Sequence, residues 1–386
     1  MECIFCFSVA MIIYAYFGYP IILYGLSLVR RKTVKRDNRY IPPLTLIITV
    51  HNEERRVQEK IDNTLSLDYP ADKLEIIFAS DASTDKTDSI VQSYPQFKLV
   101  RSSKRQGKEF AQKCAVEASM GEVLVFSDVA TMLEPDGLKA IASNFADSEV
   151  GCVSSEDRFI DAQGRVSGEG AYVKYEMLLR RLETRVYSVV GLSGSFFAAR
   201  REACENWAED LQSDFNTLLN SLKLGLRGVT DPLSLGWYRN ISDERKEFNR
   251  KVRTVLRGLT VLMRNLSLMN VFQYGLFSWE LFSHKLCRWL VPFFLLIAFI
   301  TNAYISSRAS LYSVLLLIQI LFYLLAIGHV VLEFSVGRSQ KRGFIHLSRI
   351  ISRIPYYFFI VNAAIFMAWL KFFKGERAIY WEPSKR

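Results

Sequence analysis

The acidic and hydroxyl side chains of Asp81-Ala82-Ser83-Thr84-Asp85 crowd the exit of an apolar run, Leu74-Glu75-Ile76-Ile77-Phe78-Ala79. Two more runs end the same way. Leu44-Thr45-Leu46-Ile47-Ile48-Thr49-Val50 leads into His51-Asn52-Glu53-Glu54, and Val123-Leu124-Val125-Phe126 leads into Ser127-Asp128-Val129-Ala130-Thr131. Carboxylates accept hydrogen bonds from a base edge, and they are hard oxygen ligands for a divalent cation. In an open α/β sheet, ligands gather beyond the carboxyl ends of the strands, so three such exits predict one crevice and a nucleotide in it. For any single exit the competing reading is that Asp and Ser only cap the next helix. That reading weakens when three exits share the pattern.

Strand and helix periods alternate around these exits. A strand at 44–50 is followed by a helix within 52–65, where Val57, Ile61 and Leu65 recur every four residues. A strand at 74–79, a helix near 85–93, a strand at 97–101, a helix at 108–119 and a strand at 122–127 come next. This alternation predicts an α/β fold, a mostly parallel sheet with helices on both faces. From Gly151 to Arg201 the pattern changes: Gly164, Gly168, Gly170, Gly191 and Gly194 bracket a charged helix pattern, Tyr172 to Glu183. Such loops either let a backbone approach a ligand or are plain turns. Residues 209–222 read as a helix opening with Asp210, Ser213 and Asp214.

The chain has 386 residues, enough for two or three units. Residues 4–28, 289–305, 311–334 and 354–370 are apolar runs, and about 20 such residues cross a bilayer. Arg30, Arg31, Lys32, Lys35 and Arg36 follow the first run, where a cleavable signal peptide would carry its basic residues before it. By the positive-inside tendency, the domain after that run is expected in the cytoplasm. The formal charge of +10 fits an anionic leaflet better than nucleic acid, because no basic stripe interleaves with aromatics in residues 40–235. The six cysteines show neither zinc spacing nor a disulfide framework, as expected in a reducing compartment. Residues 241–264 are basic on a helical period and 266–289 are aromatic and amphipathic; Glu280, His284 and Lys285 predict that this stretch lies in the interface plane rather than crossing, with a docking helix under the soluble domain as the competing reading for its first half. The expected organisation is an N-terminal span over 1–30, a soluble α/β domain over 40–240, interfacial helices over 241–288, and a membrane region with a basic tail over 289–386. The run at 354–370, with Pro355 and Asn362, is the candidate for a re-entrant or interfacial piece.

These motifs resemble the membrane-integrated branch of the family 2 glycosyltransferases, which includes hyaluronan, chitin and cellulose synthases and exopolysaccharide transferases. The resemblance runs from about residue 43 to the C-terminus and rests on Thr49-Val50-His51-Asn52-Glu53-Glu54, on Ser80-Asp81-Ala82-Ser83-Thr84-Asp85, and on Arg105-Gln106-Gly107-Lys108. It implies a GT-A type nucleotide-binding domain and a bacterial inner-membrane protein with a nucleotide-sugar donor, UDP-linked. It further implies a glycan or lipid-linked acceptor, membrane lipids as partners, and Mg²⁺ or Mn²⁺ as cofactor.

On that resemblance, Val50, Glu53 and Asp81 are expected at the base, with Asp81 accepting from a uracil ring N–H. Asp85 is expected to cap the next helix. Lys108 can place a point charge on the diphosphate, and Asp128 is the expected metal ligand. The family's metal motif is Asp-x-Asp, whereas here Ala130 stands at the second place, so Asp128 is expected to share the metal with phosphates and water. Gly191-Leu192-Ser193-Gly194-Ser195 resembles the acceptor loop, with Gly194, Ser195, Glu156 and Asp157 expected at the acceptor. Donor choice is expected from Ser154-Ser155-Glu156-Asp157-Arg158 and from the Gly164 to Gly170 loop. Ser213-Asp214-Phe215 resembles the base motif: Asp214 is the expected catalytic base, with Asp210 as the alternative. The processive members' Gln-x-x-Arg-Trp is replaced by Phe248-Asn249-Arg250-Lys251-Val252-Arg253-Thr254, where Arg250 and Arg253 are expected to reach the diphosphate. A processive synthase and a catalytically silent nucleotide-binding scaffold are the other readings of the same motifs.

Overall fold

The computed structural model describes residues 1–160, 171–239, 244–336 and 344–377. The glycine loop expected over Gly164 to Gly170 and the basic tail past Arg377 lie outside the described residues. The chain divides into two units, one holding residues 22–239 and 260–281, the other residues 1–21, 244–259 and 282–377.

The first unit is built on a sheet. Strand β1 (Leu44–Val50) is a run of Leu, Ile, Val and Thr, residues that suit a pleated surface, and every one of its side chains is buried. A strand covered on both faces reads as a continuous apolar run, and β1 lies between β2 (Leu74–Ser80) and β4 (Val123–Asp128), parallel to both. Strand β3 (Lys98–Arg101) extends the parallel half beyond β2. The other half holds β5 (Met132–Leu133), β6 (Val150–Ile160), β7 (Phe196–Arg200) and β8 (Arg227–Arg239), giving the order β3-β2-β1-β4-β7-β6-β8-β5. Here β7 runs antiparallel to β4 and β6, β5 antiparallel to β8, and β6 parallel to β8. The sheet is therefore mixed, and the parallel set β3-β2-β1-β4 is the part whose alternation was visible in sequence. Across the β4–β7 junction Phe126 stacks on Phe197 with centroids 4.7 Å apart and on Trp207 at 5.1 Å. Such pairs add about 0.5–1.5 kcal/mol beyond their buried area.

The helices Val57–Leu65, Thr87–Gln92 and Lys108–Ala118 occupy the expected places, and Ala171–Val186 contains the charged helical pattern; the helix expected over 209–222 is Ser213–Lys223, so Asp210 lies in the turn before it and not in its first turn. On the sheet, Val57 and Ile61 join Ile48, Val50, Phe78 and Val125 in one apolar core.

The second unit is helical. Among the described residues four helices are long and apolar enough to cross a membrane: Glu2–Val29, Leu276–Ile305, Ser310–His329 and Ser352–Phe373. The second begins well before residue 289, unlike the expectation from sequence. Of the polar groups behind that expectation, Glu280 and His284 are buried, and His284 meets the Tyr19 ring at 6.0 Å. Neighbouring Ser283 shares a 2.7 Å hydrogen bond with the Tyr14 hydroxyl. Likewise Pro355 and Asn362 do not break their run: both lie within one helix, Phe344–Phe373, where Asn362 Nδ2 donates back to Phe358 O at 2.9 Å. Trp369 ties this helix to its neighbour by donating to Trp289 O at 2.8 Å.

Candidate active site at the strand exits

The exits of β1 and β2 are bound to each other. His51 Nδ1 lies 2.7 Å from Asp81 O, Thr84 N donates to Asn52 Oδ1 at 2.8 Å, and Glu53 N donates to Thr87 Oγ1 at 2.8 Å. Asn52 and Ala82 hold positive φ of 51° each, a conformation few side chains adopt, at the two sharp corners of this knot. Asp85 accepts from Thr87 N at 2.9 Å and from Glu54 N at 3.1 Å, so it holds the first turn of the following helix, as expected. Burial pushes the Asp85 carboxyl upward, but these hydrogen bonds outweigh it and leave it below the ordinary value.

Asp81 is buried, and its carboxylate accepts from Gln106 N at 2.8 Å and from Gly107 N at 3.0 Å. It thereby pins the loop that delivers Lys108. A carboxylate oxygen has two lone pairs, so acceptor capacity remains for a base. Gly107 sits at φ 101°, a left-handed conformation that a side chain would strain. From this turn Lys108 Nζ donates to Asp128 Oδ1 at 2.5 Å and to Gly194 O at 3.0 Å. The ammonium thus joins the third exit to the glycine loop, and Asp128 N closes the join by donating to Ser195 O at 3.0 Å.

Asp214 occupies the first turn of Ser213–Lys223 and is buried. A Cβ placed on Gly194 would stand 3.4 Å from Asp214 Oδ2, in ordinary van der Waals contact, so the loop backbone passes directly beside that carboxylate. Gln212 Nε2 donates to the same oxygen at 3.1 Å. Asp210, the alternative base, is paired with Arg264 at 2.8 and 2.6 Å.

Asp157 Oδ1 accepts from Ser193 Oγ at 2.6 Å and from Ser195 Oγ at 3.1 Å, which brings it onto the glycine loop. Glu156 is turned to Arg181, with 2.8 Å hydrogen bonds to each of its oxygens, and Arg158 lies 3.4 Å away. Glu53 is paired with Arg56 at 2.9 Å. Burial pushes its carboxyl upward against the pull of Arg56, and the charge of Asp128 acts in the same direction as burial. Val50 is buried in β1 and faces the core. Arg250 and Arg253 belong to the other unit, on helix Glu244–Arg264, where Arg250 is paired with Glu247 at 2.8 Å.

Sequence reasoning missed Lys60. Its ammonium is fully buried and donates to Ser127 Oγ at 2.9 Å and to Thr131 O at 2.6 Å, so it holds both ends of the turn that carries Asp128. Burial pulls it down to about 7, opposed by the charge of Asp128. The only signal was a lysine next to Ile61 on the apolar side of an amphipathic helix. Arg181 and Gln212 were missed because their partners are distant in sequence or lie at a helix entry. Among the described residues no group of three or more His, Cys, Asp or Glu is placed to hold a metal. Asp128 is the single carboxylate of its turn, and Ala130 offers no second one.

Residues 45–207 match the family described as "Glycosyl transferase family 2". Among curated proteins, the chain is similar to a poly-beta-1,6-N-acetyl-D-glucosamine synthase of Staphylococcus aureus (strain COL), 25% identical over 58% of this chain and 56% of that one. It is also similar to a beta-monoglucosyldiacylglycerol synthase of Synechocystis, 26% identical over 52% and 47%. The chain thus spans about half the length of these two relatives. Against the Staphylococcus epidermidis poly-beta-1,6-N-acetyl-D-glucosamine synthase it is 21% identical over 92% of this chain and 90% of that one. The solved structure of a mannosyltransferase from Pyrobaculum calidifontis, in complex with GDP-Man and Mn²⁺, shares the fold with a TM-score of 0.71 at 22% identity. That likeness covers 97% of this chain and all of that one.

Proposed function

The chain carries a glycosyl transferase family 2 domain over residues 45–207, and from that premise we propose that the protein is an inverting glycosyltransferase. Its donor is a nucleotide sugar, UDP-linked, and its acceptor a cell-envelope or exopolysaccharide glycan or the lipid-linked precursor of one. One observation carries this reading: Lys108 bonds both Asp128 and the Gly194 carbonyl, while Gly194 packs against Asp214. A cation for the diphosphate and a carboxylate for the acceptor hydroxyl therefore meet across one glycine.

In the proposed reaction the base sits beside Asp81, and Lys108 turns from Asp128 toward the diphosphate. Asp214 takes the proton from the acceptor hydroxyl as that oxygen attacks the anomeric carbon from the side opposite the leaving group. Gln212 holds one oxygen of Asp214 and leaves the other for the proton. A divalent cation, Mg²⁺ or Mn²⁺, would be held by Asp128 as the one protein carboxylate, together with donor phosphates and water. When bound, it would neutralise charge on the leaving diphosphate. Asp157, Ser193 and Ser195 border the acceptor side. The proposed placement is an inner membrane, with the sheet-bearing unit in the cytoplasm.

The test is a panel of nucleotide sugars on the detergent-solubilised full chain, read first as protection against thermal unfolding and then as turnover. A UDP-sugar that both protects and turns over, with inversion at the anomeric carbon, is expected. Retention of configuration, or protection by no nucleotide sugar, overturns the reading. The similarity to poly-beta-1,6-N-acetyl-D-glucosamine synthases favours a second reading, a processive synthase, and product length separates the two.

A further inference from the structure

A cavity of about 640 Å³ lies away from the strand exits, lined by Arg30, Tyr187, Lys223, Phe272, Gln273 and Leu276 among others. Its place in the fold is specific. Lys223 closes the helix that Asp214 opens, so nine residues at 1.5 Å each put the two about 14 Å apart along the axis. Arg30 follows directly on the first candidate membrane helix, Glu2–Val29, and Leu276 opens the second, Leu276–Ile305. The cavity therefore sits where the chain leaves one apolar helix and enters another, the level of lipid headgroups in a bilayer.

The lining is chemically matched to that level. Arg30 and Lys223 form no ion pair among the described residues; Lys223 Nζ donates once, to Asn265 Oδ1 at 2.5 Å, and keeps two of its three N–H donors. Arg30 offers a planar fork suited to a phosphate, and its charge also reaches the buried carboxyl of Glu280. Beside these cations stands an apolar rim that water does not favour. Phe272 is 99% exposed, and Leu224, Leu266 and Val271 are each about half exposed. Contiguous exposed apolar residues on a folded domain mark a contact surface, and an aromatic and aliphatic rim beside cations is the pattern of a surface resting in lipid.

We propose that this cavity binds the phosphate of an anionic phospholipid headgroup between Arg30 and Lys223, with the acyl chains against Phe272 and its apolar neighbours. The lipid is not the sugar acceptor, because the site lies at the far end of the helix from Asp214. It anchors and orients the unit at the membrane surface.

The experiment uses the detergent-solubilised full chain and follows its thermal unfolding midpoint against concentration of a short-chain phosphatidylglycerol. A short-chain phosphatidylcholine and inorganic phosphate serve as the other arms. The anionic lipid is expected to raise the midpoint at concentrations at least about tenfold below those at which either of the others acts. The Arg30→Gln/Lys223→Gln double variant is expected to lose that response, while Arg31→Gln, an exposed cation that does not line the cavity, keeps it. Should the double variant be too unstable to compare, Phe272→Ser, which removes only the exposed ring, is expected to weaken the lipid response and leave the unliganded midpoint within about 2 °C. An undiminished lipid response in the double variant, or in Phe272→Ser in its place, overturns the proposal, as does an equal response to inorganic phosphate or to phosphatidylcholine.

Discussion

Single residues do two jobs at this site, and that can be tested. Asp81 is both the expected base contact and the acceptor for two backbone N–H groups of the Lys108 loop. Asp81→Ala leaves those donors unpaired, at about 1–3 kcal/mol each when buried. The expected outcome is a lower unfolding midpoint together with at least about a tenfold rise in donor KM; a rise in KM with an unchanged midpoint would show that the loop does not depend on Asp81. Asp210 is engaged by Arg264, so Asp210→Asn is expected to keep turnover within about threefold of wild type, a comparison that removes it as the base. Lys60 gives a pH test. Its folded value is about 7 against the ordinary 10.5, so between these limits the unfolded chain binds the extra proton and native stability rises with pH. Below pH 7 both states are charged and the cost of burying the ammonium is fully present. The unfolding midpoint of the wild type, measured against that of Lys60→Met, is expected to climb from pH 7 to pH 9.5; a flat difference would mean that the folded lysine stays charged over this range, its burial fully compensated.

At the scale of elements, legibility followed periodicity. The strands β1, β2 and β4 were readable because buried parallel strands are unbroken apolar runs, and their exits were readable because polar residues follow at once. The antiparallel entry of β7 and the pairing of β6 with β8 were not, because they join segments far apart in sequence: Phe126 meets Phe197, and Val153 pairs with Val229. For the same reason Asp214 was legible only through resemblance; what brings it to Gly194 is the packing of its helix on the sheet. That packing leaves no room at Gly151, where an added Cβ would stand 2.0 Å from Ser221 Oγ and 2.7 Å from Leu226 Cβ. Gly151→Ala must therefore shift strand or helix, with a penalty of about 1–3 kcal/mol. It is expected to lower kcat more than it raises donor KM, since the helix carries the base and Asp81 and Lys108 lie in the other half of the sheet. Equal kcat and a merely lower midpoint would show that the helix end is fixed independently of β6.

At the scale of the whole molecule, a sheet-bearing unit with a built crevice accompanies a helical unit whose apolar lengths suit a membrane. Composition foretold both parts, but it opened the second apolar run at residue 289, whereas in the structure that helix opens at Leu276, with Glu280 and His284 buried. In the proposed reading the apolar helices bring a lipid-linked or polymeric acceptor to a cytoplasmic donor site, and all of that proposal depends on one carboxylate acting as base at the Gly194 approach. The direct measurement is turnover of the full-length Asp214→Asn protein with its best nucleotide sugar, alongside donor protection against thermal unfolding. The account predicts that turnover falls by about 10²–10⁴-fold, the range a positioned general base contributes, while donor protection is unchanged. Full turnover in that variant would contradict it.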